Sequence, residues 1–154
     1  MSTIQLSIPV GLLVENVLTS GEAADDIIQC LHQRDYTQLL PKLKEPTMNL
    51  DDRLQTAAEV GEDWETAIRL GYEFKFLHIN GLKRLLDFRF GQKVERDYVQ
   101  ENLSLHKVQL HKQELELLRS MISRQWDVVV LEEKDEQSEQ STSPIMVSIQ
   151  LKYQ

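Results

Sequence analysis

The residue types that most often perform chemistry are sparse in this sequence. Cys30 is the only cysteine among 154 residues, so an intrachain disulfide is excluded. Two histidines that bind zinc from one helix lie three or four residues apart, because only those positions share a face. His106 and His111 are five residues apart, and His32 lies two residues after Cys30. The spacing therefore predicts no metal site, and no other pattern indicates a cofactor.

A catalytic nucleophile is not indicated either. Cys30 lies in an apolar stripe with Ile27, Ile28 and Leu31, where burial would raise the pKa of its thiol and make it unreactive. The sequence contains no G-x-S-x-G elbow, no phosphate-binding loop and no G-x-G-x-x-G fingerprint. We predict that the chain is not an enzyme. An enzyme whose site is spread thinly along the chain is the alternative.

Carboxylates occur in clusters that have a simple explanation. Glu59 is three residues from Glu62 and four from Asp63, so on a helix these side chains could share a hydrated cation. They have no histidine or basic neighbour in the sequence that would define a reaction. A solvated helix surface is the interpretation we favour.

One segment departs from the average composition. Residues 69–96 hold seven of the 17 lysines and arginines against three acids, within a chain whose net charge is −8. They also hold all four phenylalanines. Such a surface can neutralise phosphates and stack bases, or it can bind an acidic protein. The predicted partner-binding residues are Lys75, Lys83, Arg84, Arg89, Lys93 and Arg96.

These residues support two functional hypotheses. The first is a small binding module, regulatory or adaptor in role, whose protein partner is acidic. The second is a nucleic-acid-binding regulator that contacts phosphates through the same segment. A helix-turn-helix with Gly81 in its turn is a weak match, because Leu77 stands where a close helix crossing prefers a small residue. A simpler alternative is that the phenylalanines pack inward and the basic side chains solvate the outer face.

Length and composition bound the location and the number of domains. The size is typical of a single domain, here residues 1–154. The N-terminus has no basic start and has Glu15 within its apolar part, which is untypical of a signal peptide. No apolar run reaches the length of a membrane helix. We expect a cytoplasmic protein that does not enter membranes.

Strands are predicted at both ends of the chain. Residues 3–8 alternate between apolar and polar, as do residues 145–153, and residues 128–131 are β-formers. Between the last two, residues 132–143 are acidic and serine-rich, which predicts a flexible loop. We predict an α+β fold, mainly helical, with a C-terminal β-hairpin that the N-terminal strand could join in a small antiparallel sheet.

Helical periodicity covers most of the remainder. The predicted helices are residues 9–18, 22–33, 36–40, 49–68 with a break near Gly61, 72–79, 82–90 and 103–124. Asn80-Gly81 is predicted as a turn. The last helix carries more apolar residues than one narrow seam can bury, including Leu105, Leu110 and Leu117. We therefore predict a homodimer, since large exposed apolar faces mark interfaces.

The alternation near the C-terminus generates a stability prediction. Ile149 should lie on the buried face of the last strand, so Ile149→Asp would bury an unpaired carboxylate. The expected loss in the free energy of unfolding is about 3 kcal/mol or more, measured by urea denaturation. A variant with the midpoint of the parent would show that this strand is not packed.

Overall fold

The computed structural model describes residues 4–132 and 144–152 and has the predicted α+β architecture. The chain divides into two compact units, residues 1–75 and residues 76–154. Compactness does not determine whether the units unfold together, so the single domain stays a prediction.

The first unit is mainly helical. Its elements are β1 (Gln5–Leu6), α1 (Ile8–Leu18), α2 (Ala24–Gln33), a 3₁₀ turn (Leu40–Lys42), α3 (Leu50–Val60), α4 (Trp64–Leu70) and β2 (Glu73–Phe74). The two short strands are parallel, with Gln5 opposite Glu73. Helix α1 packs against α3 and α4, and α2 packs against α4.

Helix α1 is the centre of the first unit. Every residue from Val10 to Val17 is buried, including the polar residues Glu15 and Asn16. The Asn16 amide donates to the backbone oxygen of Glu45 at 2.9 Å and accepts from its N–H at 3.0 Å. The Tyr72 hydroxyl donates to Glu15 Oε2 at 2.7 Å. Buried polar groups are tolerated when they are hydrogen-bonded, and these bonds attach a loop and the start of the β2 region to α1.

A buried carboxylate joins three further parts of this unit. The Glu62 side chain, 2% exposed, follows α3. Its Oε1 accepts from the N–H and the hydroxyl of Ser7, at 2.9 and 2.8 Å, where β1 ends and α1 begins. Its Oε2 lies 2.8 Å from Nζ of Lys75, directly after β2. Burial raises the pKa of Glu62, but the hydrogen bonds from Lys75 and Ser7 outweigh it, and the pKa lies below its ordinary value of 4.5.

In its described residues, the second unit combines two helices with an antiparallel sheet. Its elements are α5 (Ile79–Phe90), β3 (Val99–Glu101), β4 (Ser104–Leu110), α6 (Lys112–Ile122), β5 (Trp126–Glu132) and β6 (Ile145–Leu151). The sheet order is β3-β4-β6-β5, and α6 packs against β4 and β5. The buried face of the sheet includes Leu105, Val108, Val147 and Ile149.

The C-terminal hairpin is confirmed, because β5 and β6 pair antiparallel with Val128 opposite Ile149. Val147 and Ile149 are fully buried, while Leu151 is half-buried. The N-terminal strand does not join this hairpin: β1 pairs in parallel with β2, and β4 pairs with β6 instead. The predicted flexible loop 132–143 lies outside the described residues, apart from Glu132, at which β5 ends.

The prediction of a helix over residues 103–124 was wrong for its first part and is confirmed for residues 112–122. Residues 104–110 form β4, and α6 begins only at Lys112. A β-bulge explains the misleading pattern, because Leu105 and Val108 pair with Ile149 and Val147. Three residues on β4 thus span the distance of two on β6, with Lys107 in the left-handed region at φ 63°. The buried residues Leu105 and Val108 are therefore three positions apart, which is a helical spacing.

Two further local predictions were wrong around residue 75. Residues 72–78 are not helical, since Glu73 and Phe74 form β2 and residues 75–78 have no regular structure, and Ile79 is the first residue of α5. Asn80-Gly81 lies within the first turn of α5 rather than in a turn between helices. The Gly81 N–H donates to Nδ1 of His78 at 2.8 Å, which caps this helix. A side chain at Gly81 would place its Cβ 2.6 Å from Leu77, so glycine permits a close approach.

The ends of α3 and α5 follow their sequence signals, whereas one predicted short helix does not form. Asn49 accepts from the N–H of Asp52 at 3.0 Å and caps α3, and Gly61 ends that helix, which confirms the predicted break. Gly91 ends α5 as expected. The predicted helix 36–40 is absent, because the Asp35 carboxylate accepts from Thr37 in a turn and only a 3₁₀ turn follows.

Replacement of Glu62 by Gln tests the contribution of the buried carboxylate. Glu62→Gln keeps the shape but removes the charge, and the expected loss in unfolding free energy is about 1.5–3 kcal/mol near neutral pH. Because the pKa of Glu62 is lowered by folding, its contribution is present above pH 4.5 and is lost as the pH falls through the folded-state pKa. The difference between parent and variant, measured by urea denaturation, should therefore shrink in acid. A constant difference would contradict the assignment.

Candidate partner-binding surface

The six predicted partner-binding residues are divided between the two units. Lys75 belongs to the first unit, whereas Lys83, Arg84, Arg89, Lys93 and Arg96 belong to the second. Lys75 forms the ion pair with Glu62, so it has a structural role. We define the basic surface of the second unit by the other five residues.

The three residues on α5, Lys83, Arg84 and Arg89, are half-buried. Nζ of Lys83 donates to Oε1 of Gln100 in β3 at 2.9 Å. The guanidinium of Arg84 lies over the ring of Phe88, 5.6 Å from its centroid. Long basic side chains commonly lie along neighbouring groups with the charge near solvent. These contacts position both charges.

The two residues after α5 belong to a loop organised by one carboxylate. The Asp97 side chain accepts from the Lys93 N–H at 2.8 Å and pairs with Arg96 at 2.7 Å. Arg96 also donates to the backbone oxygen of Gly91 at 2.7 Å. Hydrogen bonds from Arg96 and from the Lys93 backbone lower the pKa of Asp97. The positive charge of Arg96 is therefore matched within the loop.

A polar cavity of about 450 Å³ lies beside this loop. Its lining combines acidic, basic, amide and aromatic groups, including Arg96, Asp97, His111 and Glu114. Gln92 also lines it, and its Nε2 donates to the backbone oxygen of Gln109 at 2.5 Å. Charges of both signs are present, so the cavity has no preference for anions that would extend the basic surface.

Tyr98 is buried beneath the same region. It is 3% exposed, and its hydroxyl has no hydrogen-bond partner among the described residues. Burial, followed by the charges of Asp87 and Asp97, raises the pKa of Tyr98 to about 12. The hydroxyl is therefore neutral at physiological pH. Its burial costs solvation free energy, and no hydrogen bond within the described residues offsets that cost.

The phenylalanines of the segment do not act as one aromatic surface. Phe74 and Phe88 are buried, and Phe90 is half-buried. Phe76 is 56% exposed. The alternative in which the phenylalanines pack inward thus holds for two of the four rings. The four phenylalanines do not form a row of exposed rings on which successive bases could stack.

The structure brings together a polar pair that the sequence did not indicate. Across the sheet face opposite the core, Nδ1 of His106 in β4 lies 2.9 Å from the hydroxyl of Ser148 in β6. Nε2 of the same histidine lies 3.5 Å from Glu101 in β3. The residues were missed because His106 was assigned to a helix, and strand pairing over 42 positions has no local signature.

This serine, histidine and carboxylate have the residue types of a hydrolase triad, but not its geometry. Ser148 is 4% exposed and does not line the adjacent cavity, to which His106 and Glu101 contribute. The contact with Glu101 is longer than a usual hydrogen bond. A nucleophile must reach its substrate, so the arrangement supports a cross-strand hydrogen bond rather than acyl transfer.

The thiol of Cys30 lies in the buried surroundings that its apolar neighbours indicate. Cys30 is 9% exposed, and burial, with the nearby charges of Asp35 and Asp26, raises the pKa of its thiol. The thiol is thus protonated at neutral pH and is a poor nucleophile. Within residues 4–132 and 144–152, no three His, Cys, Asp or Glu side chains are placed to hold a metal ion.

The unbonded hydroxyl of Tyr98 leads to a test of the region. Tyr98→Phe removes only that oxygen, so the free energy of unfolding should stay equal to that of the parent or rise by about 1 kcal/mol. Thermal denaturation at neutral pH measures the change. A loss of 1 kcal/mol or more would show that the hydroxyl has a hydrogen-bond partner in solution.

In the described part of the chain, no helix is both long and apolar enough to span a bilayer. A scan against protein-family models, a search of curated proteins and a search of solved structures each found no match. The functional interpretation therefore rests on the chain's own residues.

Proposed function

We propose that this chain is a non-enzymatic binding module, regulatory or adaptor in role, that binds an acidic protein partner through the basic surface of the second unit. The observation that supports it best is the environment of Lys83. Its ammonium is held at 2.9 Å by the neutral amide of Gln100, so it is positioned without a carboxylate neutralising it at that contact. A positioned charge loses little side-chain entropy when a partner binds.

The members of the basic surface contribute unequally to this proposal. Lys83 donates to the amide of Gln100, and the guanidinium of the adjacent Arg84 lies over the ring of Phe88. Arg96 is matched by Asp97, and its binding to a partner would have to compete with that pair. The proposed site is therefore centred on Lys83, and it includes the adjacent Arg84, with Arg89 and Lys93 at its margin.

A nucleic-acid-binding regulator that uses the same residues is the alternative function. The net charge of −8 opposes it, because a phosphate backbone carries a dense negative charge and is repelled by the rest of the surface. An acidic protein segment with a few carboxylates suffers less repulsion. A partner of limited charge is thus favoured over a polyanion.

The predicted homodimer loses the argument on which it rested. The long helix that was to present its apolar residues does not form, and Leu105 and Leu110 are fully buried in the sheet. The basic surface requires no second copy.

Charge reversal at the centre of the site tests the proposed function. Lys83→Glu with Arg84→Glu should weaken the binding of a labelled peptide of alternating Glu and Leu roughly tenfold, or about 1.4 kcal/mol. Fluorescence anisotropy at several salt concentrations measures the affinity. Lys112→Glu with Lys152→Glu is the control, since both lysines are exposed and the net charge changes equally.

The outcomes separate the two functions. Equal weakening by both double variants would show only a long-range effect of net charge and would overturn the proposed site. A labelled oligonucleotide that binds more tightly than the peptide, with a steep dependence on salt, would favour the alternative. Thermal denaturation of both variants checks that folding is retained, because the Gln100 contact of Lys83 contributes only about 1 kcal/mol.

A further inference from the structure

Strand β5 of the four-stranded sheet has one side without a neighbouring strand among the described residues. In the order β3-β4-β6-β5, strand β5 is terminal. Lys152 N–H donates to the backbone oxygen of Gln125 at 2.9 Å, so Gln125 directs its backbone groups toward β6. Because these directions alternate along an antiparallel strand, Asp127 and Val129 also face β6. Trp126, Val128 and Val130 therefore direct their N–H and C=O groups toward the edge.

Residues 126–130 of this edge lack the proline and lysine that commonly prevent strand pairing, and the irregularity in β5 lies beyond them, between Val130 and Glu132. Natural edge strands are commonly guarded by proline, by lysine or by shortness. Residues 126–131 read WDVVVL, with three consecutive valines and a single charge at Asp127. On the face opposite the core, Val129 is 39% and Leu131 is 49% exposed. The composition favours pairing with a further extended strand.

One side chain occupies the middle of the edge. The guanidinium of Arg119, an exposed residue of α6, donates to the backbone oxygen of Val128 at 2.7 Å. Val128 is the central edge-directed residue of β5, so this bond takes the acceptor that a new strand would need first. The guard comes from a helix that packs against β5 itself.

We propose that the edge of β5 is a strand-pairing surface for a second copy of this chain, and that Arg119 holds it closed. The inference does not depend on the proposed basic surface. Its central feature is that the β5 edge is self-complementary. When a two-fold axis passes beside Val128, the β5 strands of two copies pair antiparallel. Val128 of one copy then lies opposite Val128 of the other, Trp126 lies opposite Val130, and Asp127 lies opposite Val129. No two acids within residues 126–131 meet, and the edge-directed groups of residues 126, 128 and 130 bond to one another.

Removal of the guard is the first part of the test. Sedimentation velocity at micromolar concentration measures the mass of each species. The Arg119→Ala variant should have twice the mass that the parent has under the same conditions, where one chain has a mass of 17.9 kDa. Alanine has the highest helix propensity, so α6 is retained. In hydrogen exchange, the Val128 and Val130 amides should slow at least tenfold, whereas the Val129 amide, bonded to β6, should not change. Lys112→Ala removes a charge from the same helix and should behave as the parent.

A matched pair of second substitutions tests the register. Asp127 and Val129 of the two copies would face each other as a pair without backbone hydrogen bonds, where side chains lie closest. Val129→Asp added to Arg119→Ala would place the new carboxylate at position 129 of each copy opposite Asp127 of the other. The two resulting repulsions between carboxylates should restore the parental mass. Val129→Lys in the same background should keep the doubled mass. Val129 is exposed, so neither change disturbs the core.

The proposal is overturned by three results. A parent chain whose Val128 and Val130 amides are already protected by self-association would show that Arg119 is no guard. An Arg119→Ala chain with parental mass and exchange would show that the edge does not pair with a second copy. Identical behaviour of the Asp and Lys variants at position 129 would place any association on another surface.

Discussion

The burial of one carboxylate is the constraint on which the first unit depends. Glu62 accepts from Ser7 and Lys75, and these residues directly follow the two strands of the small parallel sheet. Two strands of two residues each cannot be stable alone, because so few backbone hydrogen bonds do not offset the loss of chain entropy. The carboxylate also lies at the N-terminus of α1, where negative charge is favourable. Sheet, central helix and the loop between α3 and α4 are therefore stabilised together.

The informative sequence signals were those that act between residues close together in the chain. Caps, glycines at helix ends and the alternation of residues 145–153 act within a few positions, and they predicted α1, α3, the end of α5 and the hairpin. The contact of Glu62 with Ser7 spans 55 positions in the sequence and has no local pattern. Its carboxylate was interpreted as solvated surface, because burial of a charge becomes evident only when its distant partners are known.

The candidate site was predictable in composition but not in arrangement. The excess of basic residues in residues 69–96 is real, yet the boundary between the two compact units lies within it. Charge counting treats Lys75, Lys83 and Arg96 alike, whereas their contacts are with a buried acid, a neutral amide and a loop carboxylate. The sequence reports how many charges a segment has, and the fold decides which of them remain available.

The bulge in β4 has a consequence for chain length. Between the pairs that Leu105 and Val108 form with β6, β4 has one residue more than its partner, and Lys107 occupies the unusual backbone conformation. A chain without Lys107 would keep Leu105, Val108 and Leu110 on the core side, since simple alternation would then connect them. Loss of a residue from the regular part of β4 would instead exchange the two faces beyond it. Position 107 is thus where β4 can tolerate a deletion.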